Sequence, residues 1–222
     1  MTYQALSESL GVEIEPQLLE LALTHRSFAY ENGRIPNNER LEFLGDAILG
    51  FLVTAYIHDH FTDLQEGELT KLKNAVVSAT ALAEAANKIE LGKYLRLGKG
   101  EEQTGGREKP NLLADAFEAV LGAVYVSKGI ELAKKMVDTL IIPMLSDPDS
   151  LRENADPKTT LQELLPNLPR YETSFEGPDH DRVFHSSVFI EEKEVARASG
   201  RSRKQSETNA AIAALEILNN RT

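Results

Sequence analysis

Between residue 4 and about residue 145, apolar residues recur at steps of three and four, and the strict alternation of a half-buried strand is nearly absent. That spacing predicts an all-helical domain over residues 1–146. Residues 146–157, SDPDSLRENADP, hold two Asp-Pro pairs and no apolar stripe, so an exposed linker is placed at 147–156. Past it the pattern changes. A short helix is predicted from Thr159 to Leu165, stopped by Pro166 and Pro169. Alternating segments such as VFHSSVFI and EVARASG follow, then a long amphipathic helix from about Lys204 to Leu218. The order α-β-β-β-α over 157–222 is a small α+β unit whose helices can cover one sheet face. The expected fold is therefore multi-domain, an all-α domain followed by a small α+β domain.

Apolar residues make up 41% of the 222 and charged residues 27%, which excludes a wholly disordered chain. Cysteine is absent, which removes disulfides, thiolate nucleophiles and zinc–thiolate clusters, and suits a reducing cytoplasm, the expected location. The start MTYQALSESLG has no basic segment leading into an apolar one, and nowhere do eighteen uncharged apolar residues run together. Neither a signal peptide nor a membrane span is expected. A formal charge of −11 speaks against binding a polyanion through Lys and Arg. The imbalance is uneven: residues 1–150 carry 14 basic and 23 acidic residues (−9), residues 151–222 carry 10 and 12 (−2). Acids that hold metal ions are neutralised at the substrate, so the charge does not exclude nucleic acid.

The acids of the first domain are placed unusually. In NERLEFLGDAIL (38–49), running on through GFLVTAYI, a helical wheel puts Leu41, Leu44, Ile48, Leu52 and Ala55 on one stripe and Glu39, Glu42 and Asp46 nearly opposite. Like charges at such spacings repel by about 0.2–0.5 kcal/mol per pair, and Arg40, the nearby base, projects elsewhere. A solvated acidic face is one reading of this helix alone. A second helix, NLLADAFEAVLGAVYV (111–126), is apolar nearly all round except for Asp115 and Glu118, one turn apart, and acids on a buried helix need a partner. Salt bridges to Lys71, Lys73 or Arg40 would supply one. The alternative is that Glu42, Asp46, Asp115 and Glu118 converge on divalent cations; all-oxygen ligands favour Mg²⁺, with Mn²⁺ a substitute. Such a site suits phosphodiester hydrolysis by an activated water.

NERLEFLGDAIL resembles the signature motif of the ribonuclease III family, and LADAFEAVLGAVY resembles that family's second carboxylate helix. LTHRSF (23–28) and EGELTKLKNAVVS (66–78) are similar to further family segments in the expected order, and the second domain resembles a double-stranded-RNA-binding domain. The resemblance, of bacterial type, implies a homodimeric endoribonuclease that cuts double-stranded RNA into products with 5′-phosphate and 3′-hydroxyl ends and short 3′ overhangs, in maturation of ribosomal RNA precursors and processing of structured messages. It implies Glu42, Asp46, Asp115 and Glu118 as metal ligands, with Asp46 and Glu118 most needed for cleavage, Glu39 and Glu66 as auxiliary acids, and Asn111 as a residue orienting the second helix. A rival reading is a catalytically silent duplex-RNA scaffold or chaperone. Loss of a ligand would mark it, and all four are present.

Phe43 falls among the polar positions of its helix, where a partner subunit could cover it, and the resemblance implies that it packs on the other subunit. His58 and His60 point to different sides of a helix and make a poor metal pair. His25 reads as a structural hydrogen-bonding residue. GKGEEQTGGREKP (98–110) lacks the order of a phosphate-binding P-loop and is expected to be a mobile loop; no nucleotide cofactor is expected.

In the second domain, Arg201, Arg203 and Lys204 gather with Gly200 and Ser202 where the last helix should start. Helix dipoles favour acids there, so three bases suggest a phosphate clamp. The resemblance adds Thr159, Gln162 and Glu163 as contacts to one minor groove of A-form RNA and His180 in GPDHDR as a contact to a second. The sequence departs from the family's usual last-helix start, K-K-x-A: it reads RKQS, with Ser206 at the alanine. The turn EEKE (191–194) is acidic where glycine is frequent, and Pro166 ends the first helix early.

Overall fold

The structure, a computed structural model, describes residues 3–146, 157–178 and 182–219. The chain divides into two compact units, Met1–Ser146 and Asp147–Thr222. The linker expected at 147–156 lies outside the described residues.

The first unit is helical among its described residues: α1 (Gln4–Leu10), α2 (Pro16–Ala22), α3 (Arg26–Glu31), α4 (Glu39–His60), α5 (Glu66–Val76), α6 (Ala79–Lys88), α7 (Lys99–Gln103), α8 (Pro110–Lys128) and α9 (Ile130–Leu140). Proline at the first position of α8 needs no N–H partner and presets the helical φ. From there α8 runs through the middle of the unit, buried from Leu113 to Val124 except at Asp115 and Glu118, and packs on α4, α6, α2 and α9. By length and composition α4 could also cross a bilayer; here it lies against α8. The buried side of α4 is Leu41, Gly45, Ile48, Leu49, Leu52, Val53 and Ile57. Leu44 and Ala55, assigned to the stripe from the wheel, are only half-buried, because α8 lies along the side marked by Gly45.

Two glycines let these helices touch backbone to backbone. A Cβ at Gly45 would lie 1.8 Å from the carbonyl oxygen of Glu118, and one at Gly122 would lie 2.3 Å from that of Leu41. Neither approach is open to any other residue.

The expected mobile loop at 98–110 is instead built into α7 and a 3₁₀ turn, Gly106–Glu108. Ion pairs Lys109–Glu101 and Arg107–Glu102 clip it, and Arg107 donates to the carbonyls of Gly92 (2.9 Å) and Lys93 (3.1 Å).

The second unit runs α10 (Pro157–Glu163), β1 (Arg170–Glu176), β2 (Val183–Ile190), β3 (Lys193–Gly200) and α11 (Arg203–Asn219). The antiparallel sheet has the order β1-β2-β3, and both helices cover one face over a core of Leu161, Val188, Ala196, Ala211, Ala214 and Leu215. Glu191 and Glu192 make the two-residue β2–β3 turn, both at positive φ (49° and 65°). That hairpin geometry favours Asn and Gly and costs a residue bearing a Cβ roughly 1–2 kcal/mol.

Candidate active site and RNA-binding surface

Helix α4 begins beside the chain that precedes α3: the Asn38 N–H donates to the Thr24 carbonyl at 2.9 Å. Glu39 and Glu42 lie in its first turn, where the helix dipole favours negative charge. One turn on, Gly45 meets α8 at Glu118, so acids on either side of this contact are brought close. Carboxylate oxygens of Glu42, Asp115 and Glu118 all lie within 4.8 Å of one another, each residue half-buried. Asp46 is exposed and stands outside that trio, yet of the charges acting on Glu118 its effect is the largest.

Among the described residues, no ion pair or hydrogen bond engages the side chains of Glu42, Asp46, Asp115 or Glu118, so salt bridges to Lys71, Lys73 or Arg40 do not explain them. The electrostatic consequence is plain. Burial, then Asp46, Asp115 and Glu42, push the Glu118 carboxyl up to about 8. Burial, then the neighbouring acids Asp115 and Glu39, raise Glu42; burial raises Asp115. A set of oxygen donors that repel one another and hold a proton near neutral pH fits a hard divalent cation, which would replace that proton. The remaining sequence-derived acids stand apart. Glu39 accepts from the Asn37 amide (2.9 Å) and lies 3.8 Å from Arg26, and Glu66, at the start of α5, accepts from the Thr70 hydroxyl (3.3 Å). Asn111 is exposed near the start of α8.

His25 is the hydrogen-bonding residue expected: its Nδ1 accepts from the Ser27 N–H (3.2 Å) to cap α3, its own N–H donates to the Arg96 carbonyl, and burial holds its pKa low. His58 and His60 are exposed in the last turn of α4.

Phe43 is 80% exposed and Phe51, two turns on, is 65% exposed, with exposed Ala47 between them. This apolar line faces away from the core.

In the second unit Arg201, Ser202, Arg203 and Lys204 are all exposed at the start of α11. The Ser202 hydroxyl accepts from the Gln205 N–H (3.2 Å), and the Gln205 side chain accepts from the Arg201 N–H (3.0 Å). Arg203 is held: its Nε donates to Glu207 at 3.0 Å, and Glu207 also accepts from Lys158 at 2.6 Å. Behind Glu207 lies a run of hydroxyls, Thr173 to Ser186 (2.7 Å) to Ser206 (2.7 Å), the last two fully buried. Ser206, at the family's alanine, is thus satisfied and not an orphaned polar group. Gln162 and Glu163 are exposed on α10, and Thr159 is half-buried beside them. The first helix starts at Pro157, two residues before the expected Thr159, with proline at its first position. His180 lies outside the described residues.

An all-helical unit with unbalanced, converging acids, followed by an α-β-β-β-α unit with a basic helix start, defines a hydrolase of nucleic acid in two parts. Residues 15–145 match the family model described as Ribonuclease-III-like, and residues 157–218 match that of the Double-stranded RNA binding motif. The chain is 52% identical over 220 residues to Ribonuclease 3 of Leifsonia xyli subsp. xyli, covering 97% of this chain and 93% of that protein. It is 44% identical over 227 residues to Ribonuclease 3 of Mycobacterium tuberculosis, covering 98% and 95%. The solved nuclease domain of ribonuclease III from Campylobacter jejuni superposes with a TM-score of 0.60 at 41% identity, over 64% of this chain and 97% of that one. The chain belongs to the ribonuclease III family. It is an endoribonuclease, and its second unit directs it to double-stranded RNA.

Proposed function

We propose that Glu42, Asp46, Asp115 and Glu118 hold Mg²⁺, with Mn²⁺ as a substitute, and that cleavage of both strands of an RNA duplex takes place there. The observation that carries this reading is the trio of half-buried carboxylates, their oxygens within 4.8 Å, on two helices in backbone contact and without a bonded cation among the described residues. Bound Mg²⁺ would supply the charge that makes a water nucleophilic and stabilises the extra negative charge of the phosphorane-like transition state. Asp46, the exposed acid of the four, is open to substrate, and its charge acts on Glu118 more strongly than that of Asp115 or Glu42. Glu118, between α4 and α8, is the acid that binding must deprotonate. These two are the residues most needed for cutting. Glu39 and Glu66 act as auxiliary acids near substrate, and Asn111 orients the start of α8.

The second unit grips the duplex by its shape: Arg201, Ser202, Arg203 and Lys204 on phosphates, Thr159, Gln162 and Glu163 on one minor groove, His180 on another. Two copies form a homodimer with Phe43 as an anchor, so that one site meets each strand. The exposed line Phe43–Ala47–Phe51 supports this, as does a relative from Campylobacter jejuni whose nuclease domain has a region involved in dimer formation. Products carry 5′-phosphate and 3′-hydroxyl ends with short 3′ overhangs. The setting is cytoplasmic maturation of ribosomal RNA precursors and processing of structured messages.

The test incubates the full chain with a labelled perfect duplex and its single strand, in Mg²⁺, in Ca²⁺ and in chelator, on denaturing and native gels. The expected result is Mg²⁺-dependent cutting of the duplex alone, abolished by Glu118→Gln while the native-gel shift persists. A shift without cutting in any metal would make the chain a silent binder, and normal cutting by Glu118→Gln would overturn the ligand assignment.

A further inference from the structure

The segment that leads into α3 is bound to the foot of α4 by its backbone. Thr24 is buried; its carbonyl accepts from Asn38, its hydroxyl accepts from Arg96 (3.1 Å), and the N–H groups of His25 and Arg96 bond to the carbonyls of Arg96 and Leu23 (3.1 and 2.8 Å). The next residue but one, Arg26, therefore starts α3 at a fixed place beside the acids of α4. Its side chain is 73% exposed, with Nη1 3.8 Å from Glu39 Oε1, and its positive charge opposes the raised pKa of both Glu42 and Asp115. It is a cation held at the rim of the carboxylate cluster without being bonded to it.

The pair with Glu39 is long and exposed, and pairs of that kind contribute about 0–1 kcal/mol, so Arg26 exchanges this partner easily. What approaches this rim is a polyanion, and it approaches a unit with a surplus of acids. A planar guanidinium offers two parallel N–H donors to a phosphate, a match that an ammonium does not reproduce. We propose that Arg26 contacts substrate directly: its guanidinium leaves Glu39 for a backbone phosphate of the RNA strand that lies over Glu42, Asp115 and Glu118. This rests on the cleavage site proposed above and adds a residue that is not a metal ligand. Arg26 supplies binding and register to the strand being cut, on the acidic unit itself and independently of the second unit.

The experiment compares the full-length wild type with Arg26→Gln and Arg26→Lys in steady-state cleavage of a labelled duplex, from about 50 to 200 mM salt. Arg26→Gln should raise KM about tenfold, as expected for loss of one charge-assisted contact, with kcat within about twofold. The dependence of log KM on log salt should become shallower by about 0.9 for each Arg26 that meets RNA. Arg26→Lys should restore the salt slope and only part of the affinity. A residue that merely balances the acids of the fold would change the melting temperature and leave the slope untouched. An unchanged slope in Arg26→Gln, with wild type cutting normally, therefore overturns the proposal alone. A wild type that does not cut the duplex overturns the cleavage site on which it rests.

Discussion

At Glu118, burial and three neighbouring carboxylates act in the same direction, and the group holds its proton up to about pH 8 against an ordinary value of 4.5. The folded chain therefore binds more protons than the unfolded chain between these values. The stability linked to Glu118 is fully present below about pH 4.5 and is lost as pH rises through 8. Glu42 and Asp115, also raised, add to the same trend, whereas His25, lowered from 6.5, works against it below that pH. The clean window is pH 6.5–8. There the melting temperature of metal-free protein should fall with rising pH, and Mg²⁺ should flatten the decline because it takes the proton's place. A metal-free melting temperature that rises across this window, or a decline that persists in Mg²⁺, would contradict the assignment. Glu207 is the opposite kind of acid. Although burial raises its pKa, Lys158, Arg203 and Thr173 together lower it, so it stays charged and holds Arg203 in place.

At the level of elements, what sequence could and could not reveal follows from what each signal measures. The helices that carry the acids were legible because α4 shows helical period, because α8 is a long apolar run broken only by Asp115 and Glu118, and because the one base near the α4 acids, Arg40, projects elsewhere. β1 was weakly legible: RYETSFE offers only Tyr171 and Phe175 on its apolar face. The ordering of 98–110 was invisible because its clips reach to Gly92 and Lys93 and from Lys109 back to Glu101, contacts without a period. Gly45 and Gly122 were also missed. A helical wheel gives a glycine no side and no size, although an isolated glycine within an apolar helix is itself a sign of close packing. Gly45→Ala tests their role. A methyl group 1.8 Å from a carbonyl forces α4 and α8 apart, so the variant should lose about 1–3 kcal/mol, the usual cost of overpacking. It should also bind Mg²⁺ more weakly than the loss of stability explains. Denaturant melts with and without metal measure both effects, and a variant equal to wild type in each would remove the contact as the source of the site's geometry.

For the whole molecule, the division of labour follows the charge. The nuclease unit holds the larger surplus of acids, with 14 basic and 21 acidic residues over 1–146, while residues 157–222 are nearly balanced, with 9 and 10, and gather three exposed bases at one helix start. In the proposed homodimer the exposed aromatic line on α4 is the anchor. A buried aromatic anchor is worth about 2 kcal/mol or more, roughly 30-fold in the dissociation constant. Phe43→Ala should therefore shift the mass seen by light scattering towards the monomer on dilution, and an unchanged dimer would exclude Phe43 as an anchor.

Backbone contact at Gly45 and Gly122 also bears on how this site can persist while the sequence around it changes. The distance between the two acid-bearing helices is set by main-chain atoms and by two hydrogens that occupy the places of side chains, not by the bulk of the leucines and valines packed around them. A swap of volume among those core residues that leaves the backbone contact intact leaves the gauge of the site unchanged.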